Sequence, residues 1–227
     1  MFTHNIATIP LFKNLNLLET ALTHRSALNE GISNSETSNE RMEFLGDAVL
    51  ELITTEFLYE KLPEDAEGML TAYRSALVKT TTLAELAIEL GLDEALLISK
   101  GEAATGGRTN EGLLADTVEA VLGALYLDQG YKVVSDFLHQ YLFVKFDAIR
   151  ELKLYKDSKS LLQEEVQARG LSTPTYEILS ESGPDHDKEF TVEVIVNDIP
   201  RGTGTGKSKQ LAQQAAADQA LEKMGIK

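Results

Sequence analysis

The chain contains no cysteine and no tryptophan. Without cysteine, disulfide frameworks, thiolate zinc sites, iron-sulfur clusters and cysteine nucleophiles are excluded together, and a reducing compartment fits. No stretch approaches the roughly 18 apolar residues of a membrane span. The N-terminus MFTHNIATIPLF lacks the basic start and apolar run of a signal peptide. A cytoplasmic protein without membrane association is therefore expected. Basic residues are also scarce, 21 against 36 acidic ones, for a net charge of -15. Taken over the whole chain, that balance argues against a nucleic-acid binder. The deficit is uneven, however: residues 1–150 carry net -12 and residues 151–227 only -3.

What is present is ordinary for a globular protein. The 227 residues, 43% hydrophobic and 25% charged, suffice for one large domain or two of usual size. From Leu11 to about Phe146 apolar residues recur at helical spacing, in segments separated by polar or glycine-containing stretches such as NEGISNSETSN and KGEAATGGRTN. This predicts an all-α domain over residues 1–150. The polar segment ELKLYKDSKS follows, and the period then changes, which places a linker at 151–156. Residues 157–227 read as an amphipathic helix from Ser158, the strands TYEILSE and EFTVEVIV, a short glycine-rich third strand, and an alanine-rich helix from Ser208 to Met224. The expected architecture is multi-domain: an all-α domain followed by an α+β domain of order αβββα.

Two helical segments carry acids at telling positions. NERMEFLGDAVLEL puts Glu40, Glu43 and Asp47 at i, i+3 and i+7 on one face, interleaved with apolar residues. LLADTVEAVLGALYL puts Asp116 and Glu119 three apart on a more apolar helix. Bringing such pairs together beside a core is costly unless protons or a cation neutralise them. Carboxylates without histidine or cysteine favour magnesium or manganese over zinc, and such a site supports phosphoryl transfer to water. Spacing alone leaves open whether these acids form a metal site or solvated faces, because it does not show that the helices meet. For Glu51, Glu56, Glu60 and Glu67, taken by their surroundings, the solvated reading is the better one.

The segment NERMEFLGDAVL resembles the signature of the ribonuclease III family of double-stranded RNA endonucleases. ALTHRSALNE, LADTVEAVLGALYLDQG and a C-terminal part similar to a double-stranded RNA-binding domain extend the resemblance over nearly the whole chain. It implies that Glu43, Asp47, Asp116 and Glu119 hold the metal, magnesium with manganese as a substitute, and that Asp47 and Glu119 serve catalysis. It also implies secondary active-site roles for Glu40 and Glu67, and a homodimer in which Phe44 enters a pocket of the partner. Read without the resemblance, Phe44 is an ordinary core residue. The implied reaction is metal-assisted hydrolysis leaving 5′-phosphate and 3′-hydroxyl ends with a two-nucleotide 3′ overhang, in the processing of ribosomal RNA precursors and of structured messenger and transfer RNA transcripts. The alternative is a catalytically silent double-stranded RNA-binding scaffold, which the intact carboxylates disfavour.

RNA contacts are expected from several places. Double-stranded RNA is read by shape, through 2′-hydroxyls and phosphates. Gln163 and Gln167 lie at i and i+4 on one helical face, and His186 sits in the turn between the first two strands of the tail. Alone, a glutamine pair or a histidine turn is more often surface decoration than a contact. Lys207 and Lys209, with Arg201, form a local basic patch at the start of the last helix, where free N–H groups favour phosphate. The domain family usually has a further lysine where this chain has Gln210. The resemblance adds Arg108 as a backbone contact, although Asn110, Glu111 and Gly112 depart from the usual pattern behind it. His24 and Arg25 are read as structural, packing near the signature helix. GTGTGKS is not an ATP-binding loop: Gly202 and Gly206 enclose three residues where four are required, so no nucleotide cofactor is expected. These glycines otherwise read as a tight strand-to-helix turn.

Overall fold

The computed structural model describes residues 6, 8–184 and 188–226. The chain divides into two compact units, residues 1–152 and 153–227. The first is helical: α1 (Leu15–Ala21), α2 (Arg25–Leu28), α3 (Glu40–Lys61), α4 (Glu67–Val78), α5 (Thr80–Glu89), the short α6 (Leu92–Ala95) and α7 (Lys100–Ala104), α8 (Glu111–Gln129), α9 (Tyr131–Tyr141) and α10 (Phe146–Glu151).

Helix α8 is the axis of this unit, and its sequence explains why. Apolar residues occupy nearly every face, and a helix apolar all round must be covered all round. Ala120, Leu122, Ala124 and Leu125 have no exposed surface, and α1, α3, α5 and α9 pack against it. The residues Asn110, Glu111 and Gly112 do not disturb its start. The Asn110 side chain accepts the Leu113 N–H at 3.1 Å as an N-cap, which satisfies one of the free donors of the first turn.

The closest approach in the unit is between α3 and α8. A Cβ on Gly46 would lie 1.7 Å from the Glu119 carbonyl oxygen, and one on Gly123 2.2 Å from that of Met42. No side chain fits at either position, so the two backbones touch directly. The crossing point lies between Glu43 and Asp47 on one helix and beside Glu119 on the other, so the packing that closes the core also sets the acids of both helices face to face.

The second unit comprises α11 (Ser158–Ala168), β1 (Thr175–Ser182), β2 (Glu189–Val196), β3 (Ile199–Gly206) and α12 (Lys209–Lys223), with an antiparallel sheet in the order β1-β2-β3. Strict alternation in EFTVEVIV buries Phe190, Val192, Val194 and Val196 against Leu162, Val166 and the alanines of α12. The glycines read as a turn are instead within β3. Cβ atoms on Gly202 and Gly204 would lie 2.5 Å and 2.2 Å from the backbone of Ala216, so alternate glycines let α12 lie directly on the strand. Asn197 and Asp198, both at positive φ, make the two-residue β2–β3 turn. Lys153 and Lys156 are ion-paired to Glu165 and Glu164 of α11, so these polar residues, expected in a linker, are held by the second unit.

Substituting Gly46→Ala is expected to force α3 off α8 and destabilise the folded unit by roughly 2–3 kcal/mol. Denaturant unfolding monitored by circular dichroism checks this, and a surface change such as Gly68→Ala, where a Cβ meets nothing within 4 Å, serves as the control.

Candidate active site

Glu43 projects from α3, and Asp116 and Glu119 from α8. One carboxylate oxygen of each lies within 4.8 Å of the others, and all three side chains are half-buried. Among the described residues no lysine or arginine forms a salt bridge with any of them. Burial and crowding therefore act together. Glu119 is pushed up to about 7, first by burial and then by the charges of Asp47, Asp116, Glu43 and Glu51. Glu43 is raised by burial and by Asp116, Glu40 and Asp47. Asp116 is raised by burial, with His24 acting in the opposite direction. Three carboxyl groups with no lysine or arginine partner among the described residues, each held above its ordinary range, fit a hard divalent cation.

The structure does not gather every residue expected here. Asp47 is exposed one turn beyond Glu43 and lies outside the three-carboxylate group, although it is near enough to raise both Glu43 and Glu119. Glu40 starts α3, accepts a hydrogen bond from the Ser38 hydroxyl at 2.8 Å and pairs with Arg25 at 3.6 Å. Glu67 is elsewhere: it lines a separate cavity of about 470 Å³ with Tyr59, Leu70 and Arg74, and accepts from Thr71 at 3.2 Å. Glu51, read from its neighbours in sequence as simply solvated, pairs with Arg74 at 2.9 Å and contributes to the field at Glu119. His24 and Arg25 line a cavity of about 410 Å³ together with Glu40, Glu43 and Asp116. Sequence reading missed them because THRS precedes α3 by a dozen residues. The contact comes from a backbone tie, in which the Asn39 N–H donates to the Thr23 carbonyl at 2.9 Å.

Phe44 is 81% exposed, so the reading of it as a core residue is corrected: its helical phase turns it away from α8. Arg108 is also engaged differently from a free phosphate contact. Its Nη1 donates to the carbonyls of Asp93 and Glu94, the last turn of α6, where a cation satisfies carbonyls that the helix leaves without partners. In the second unit Gln163 and Gln167 are exposed on α11, and the Gln167 amide donates to Thr173 at 3.2 Å. Lys207 and Lys209 are exposed at the start of α12, with Lys209 Nζ 5.8 Å from the Phe190 ring. His186 lies outside the described residues.

The raised carboxyls set a pH dependence. In the metal-free protein Glu119 binds more protons folded than unfolded between about pH 4.5 and about 7, so stability is expected to fall as pH rises through that window. A divalent cation offsets the repulsion only where the acids are ionised. Added manganese should therefore raise the thermal midpoint more at about pH 8 than at about pH 5.5, as read by differential scanning fluorimetry.

Comparison with known proteins agrees with this arrangement. Residues 14–146 match the Ribonuclease-III-like family and residues 158–224 the double-stranded RNA binding motif. The chain is 47% identical over 212 residues to ribonuclease 3 of Bdellovibrio bacteriovorus, covering 93% of this chain and 90% of that one. It is 48% identical over 211 residues to ribonuclease 3 of Geobacillus thermodenitrificans, covering 93% and 85%. Among solved structures, the nuclease domain of ribonuclease III from Campylobacter jejuni superposes with a TM-score of 0.57 at 37% identity, covering 62% of this chain and 94% of that one. With its facing carboxylates on α3 and α8 and an αβββα unit following them in sequence, the chain belongs to the ribonuclease III family.

Proposed function

We propose that this chain is an endonuclease that hydrolyses phosphodiester bonds in double-stranded RNA. The observation that carries the reading is the convergence of Glu43, Asp116 and Glu119 with no lysine or arginine paired to them among the described residues. These three would hold magnesium, or manganese in its place, and the exposed Asp47 would complete the set from the outer edge. When bound, the cation offsets the carboxylate charge, withdraws electrons from the phosphate and makes water an effective nucleophile. Glu119 sits deepest in the field of the other acids, so it is the residue whose charge depends most on that exchange. Attack of water on phosphorus with departure of the 3′-oxygen leaves a 5′-phosphate and a 3′-hydroxyl, and no covalent enzyme intermediate is needed.

A duplex presents two strands, and one site cuts one strand. A two-fold dimer places two sites on a substrate of matching symmetry and accounts for staggered ends with a short 3′ overhang. The outer face of α3 supports this assembly: Phe44 and Leu52 are 81% and 59% exposed, and Ala48 between them is exposed too. The second unit supplies duplex binding, through the glutamines of α11 and the lysines at the start of α12, and residues 151–156 connect it to the first. Cytoplasmic ribosomal RNA precursors and structured messenger and transfer RNA transcripts are the substrates this reading proposes.

Cleavage of a long, perfectly paired RNA with magnesium tests the reading. Wild type should give staggered duplex products. Glu119→Gln should lose about 1000-fold or more in rate while binding the duplex normally. Tight binding without cleavage by the wild type would favour a silent scaffold instead. The joint change Lys207→Ala and Lys209→Ala should weaken duplex binding at every sequence. It should also make log affinity fall less steeply with log salt, by about one unit of slope for each phosphate no longer neutralised, measured by a filter-binding salt series.

A further inference from the structure

The carboxylates accept hydrogen bonds and donate none, and a phosphodiester offers only acceptors as well. A cation satisfies part of the anionic phosphate, and something on the protein must donate to the rest. The cavity of about 410 Å³ that adjoins Glu43 and Asp116 is also lined by His24, Arg25 and Asn39. Arg25 is largely exposed and its charge is shared with Glu40. His24 is half-buried and tightly placed. Its backbone N–H donates to the Leu97 carbonyl at 3.0 Å, where Thr23 and Leu97 form an isolated bridge.

The hydrogen bonds around the ring decide which nitrogen carries the proton. His24 is the N-cap of α2, and its Nδ1 accepts the Ser26 N–H at 3.3 Å. The Ser26 hydroxyl oxygen accepts the Ser99 N–H at 3.0 Å, which leaves its own hydrogen to point at Nδ1, 2.8 Å away. Both contacts call for a lone pair on Nδ1 and so favour the tautomer with the ring hydrogen on Nε2. Among the described residues no hydrogen bond reaches Nε2. A neutral N–H donor suits this place, because a lysine here would compete with the cation for the same carboxylates.

We propose that His24 is a substrate-contacting residue whose Nε2–H, aimed by the Ser26 and Ser99 relay, donates a hydrogen bond to an oxygen of the phosphodiester held against Glu43 and Asp116. The inference rests on the endonuclease reading and adds to it a donor that the acidic residues lack. It also gives THRS a second purpose beyond starting α2.

Two substitutions separate the cap from the donor. His24→Asn keeps an acceptor at the N-cap, a position asparagine favours, and removes the Nε2–H. His24→Gln gives up the cap and returns an amide N–H near the Nε2 position. Thermal midpoints, manganese binding by calorimetry without RNA, and single-turnover cleavage at saturating duplex RNA and magnesium are compared for both and for wild type. The expected result is a crossed pattern. His24→Asn unfolds near the wild-type midpoint and binds manganese within about two-fold, yet cleaves on the order of 100-fold more slowly. His24→Gln melts earlier and keeps its rate within about 10-fold of wild type. Rates that simply follow the melting order would overturn the proposal in favour of a structural histidine. So would a rate loss in His24→Asn matched by weakened manganese affinity, which would mean that His24 acts by holding Asp116. A wild type that binds duplex RNA and leaves it intact defeats the endonuclease reading, and this inference falls with it.

Discussion

The direct contact of α3 with α8 is the constraint on which the rest of the nuclease unit depends. At Gly46 and Gly123 the helix backbones meet with no room for a Cβ, and the oxygen each added carbon would strike belongs to Glu119 or Met42. The contact is also what turns two separate acidic stripes into one site. A side chain at either position would push the helices apart and widen the span that now holds three carboxylate oxygens within 4.8 Å of one another. Stability and chemistry are therefore opposed at the same crossing. Close packing of two apolar helices favours the fold, and the acids it brings together oppose it until protons or a cation neutralise them.

That opposition gives the acidity of the chain a local meaning. The strongly negative first unit concentrates its effect where Asp47, Asp116, Glu43 and Glu51 act on Glu119. A site under such a field binds a cation at the expense of its protons, and it repels RNA whenever the cation is missing. The charges around the site are arranged to fit this. Arg74 and Arg25 pair with Glu51 and Glu40 at the flanks, and the central carboxylates have no basic partner among the described residues. Lys207 and Lys209, which the proposed function directs to phosphate, belong to the second unit, at the start of α12.

Much of this was legible in the residues. The change from helical to alternating period marked two units, and the alternation in EFTVEVIV specified which face of β2 is buried. The acidic positions on each helix were readable as faces for the same reason, since a helix places i, i+3 and i+7 together wherever it lies. Contacts between distant segments were not. His24 and Arg25 looked structural because nothing in their own neighbourhood shows that Asn39 bonds Thr23 and draws them to the mouth of the site. The bonds from Arg108 Nη1 to the carbonyls of α6 were not readable either, since those carbonyls lie 15 and 14 positions earlier. Gly202 and Gly206 left a glycine-rich strand and a turn both open, because their role is defined by a helix that packs over them from outside the segment.

By itself the sequence determined the kinds of chemistry available. With no thiol and with acids on apolar helices, the residue types favour a hard cation held by oxygen over zinc, and the motifs around those acids placed the chain in a family. The tertiary structure alone decided which acids meet, leaving Asp47 at the edge and Glu67 in another cavity, and it alone set a histidine ring beside them. The physical reason is the range of each rule. Periodicity and capping act within a few residues and can be read along the chain. The distance between two carboxylates on different helices depends on how closely the backbones between them can pack, and only the folded chain sets that.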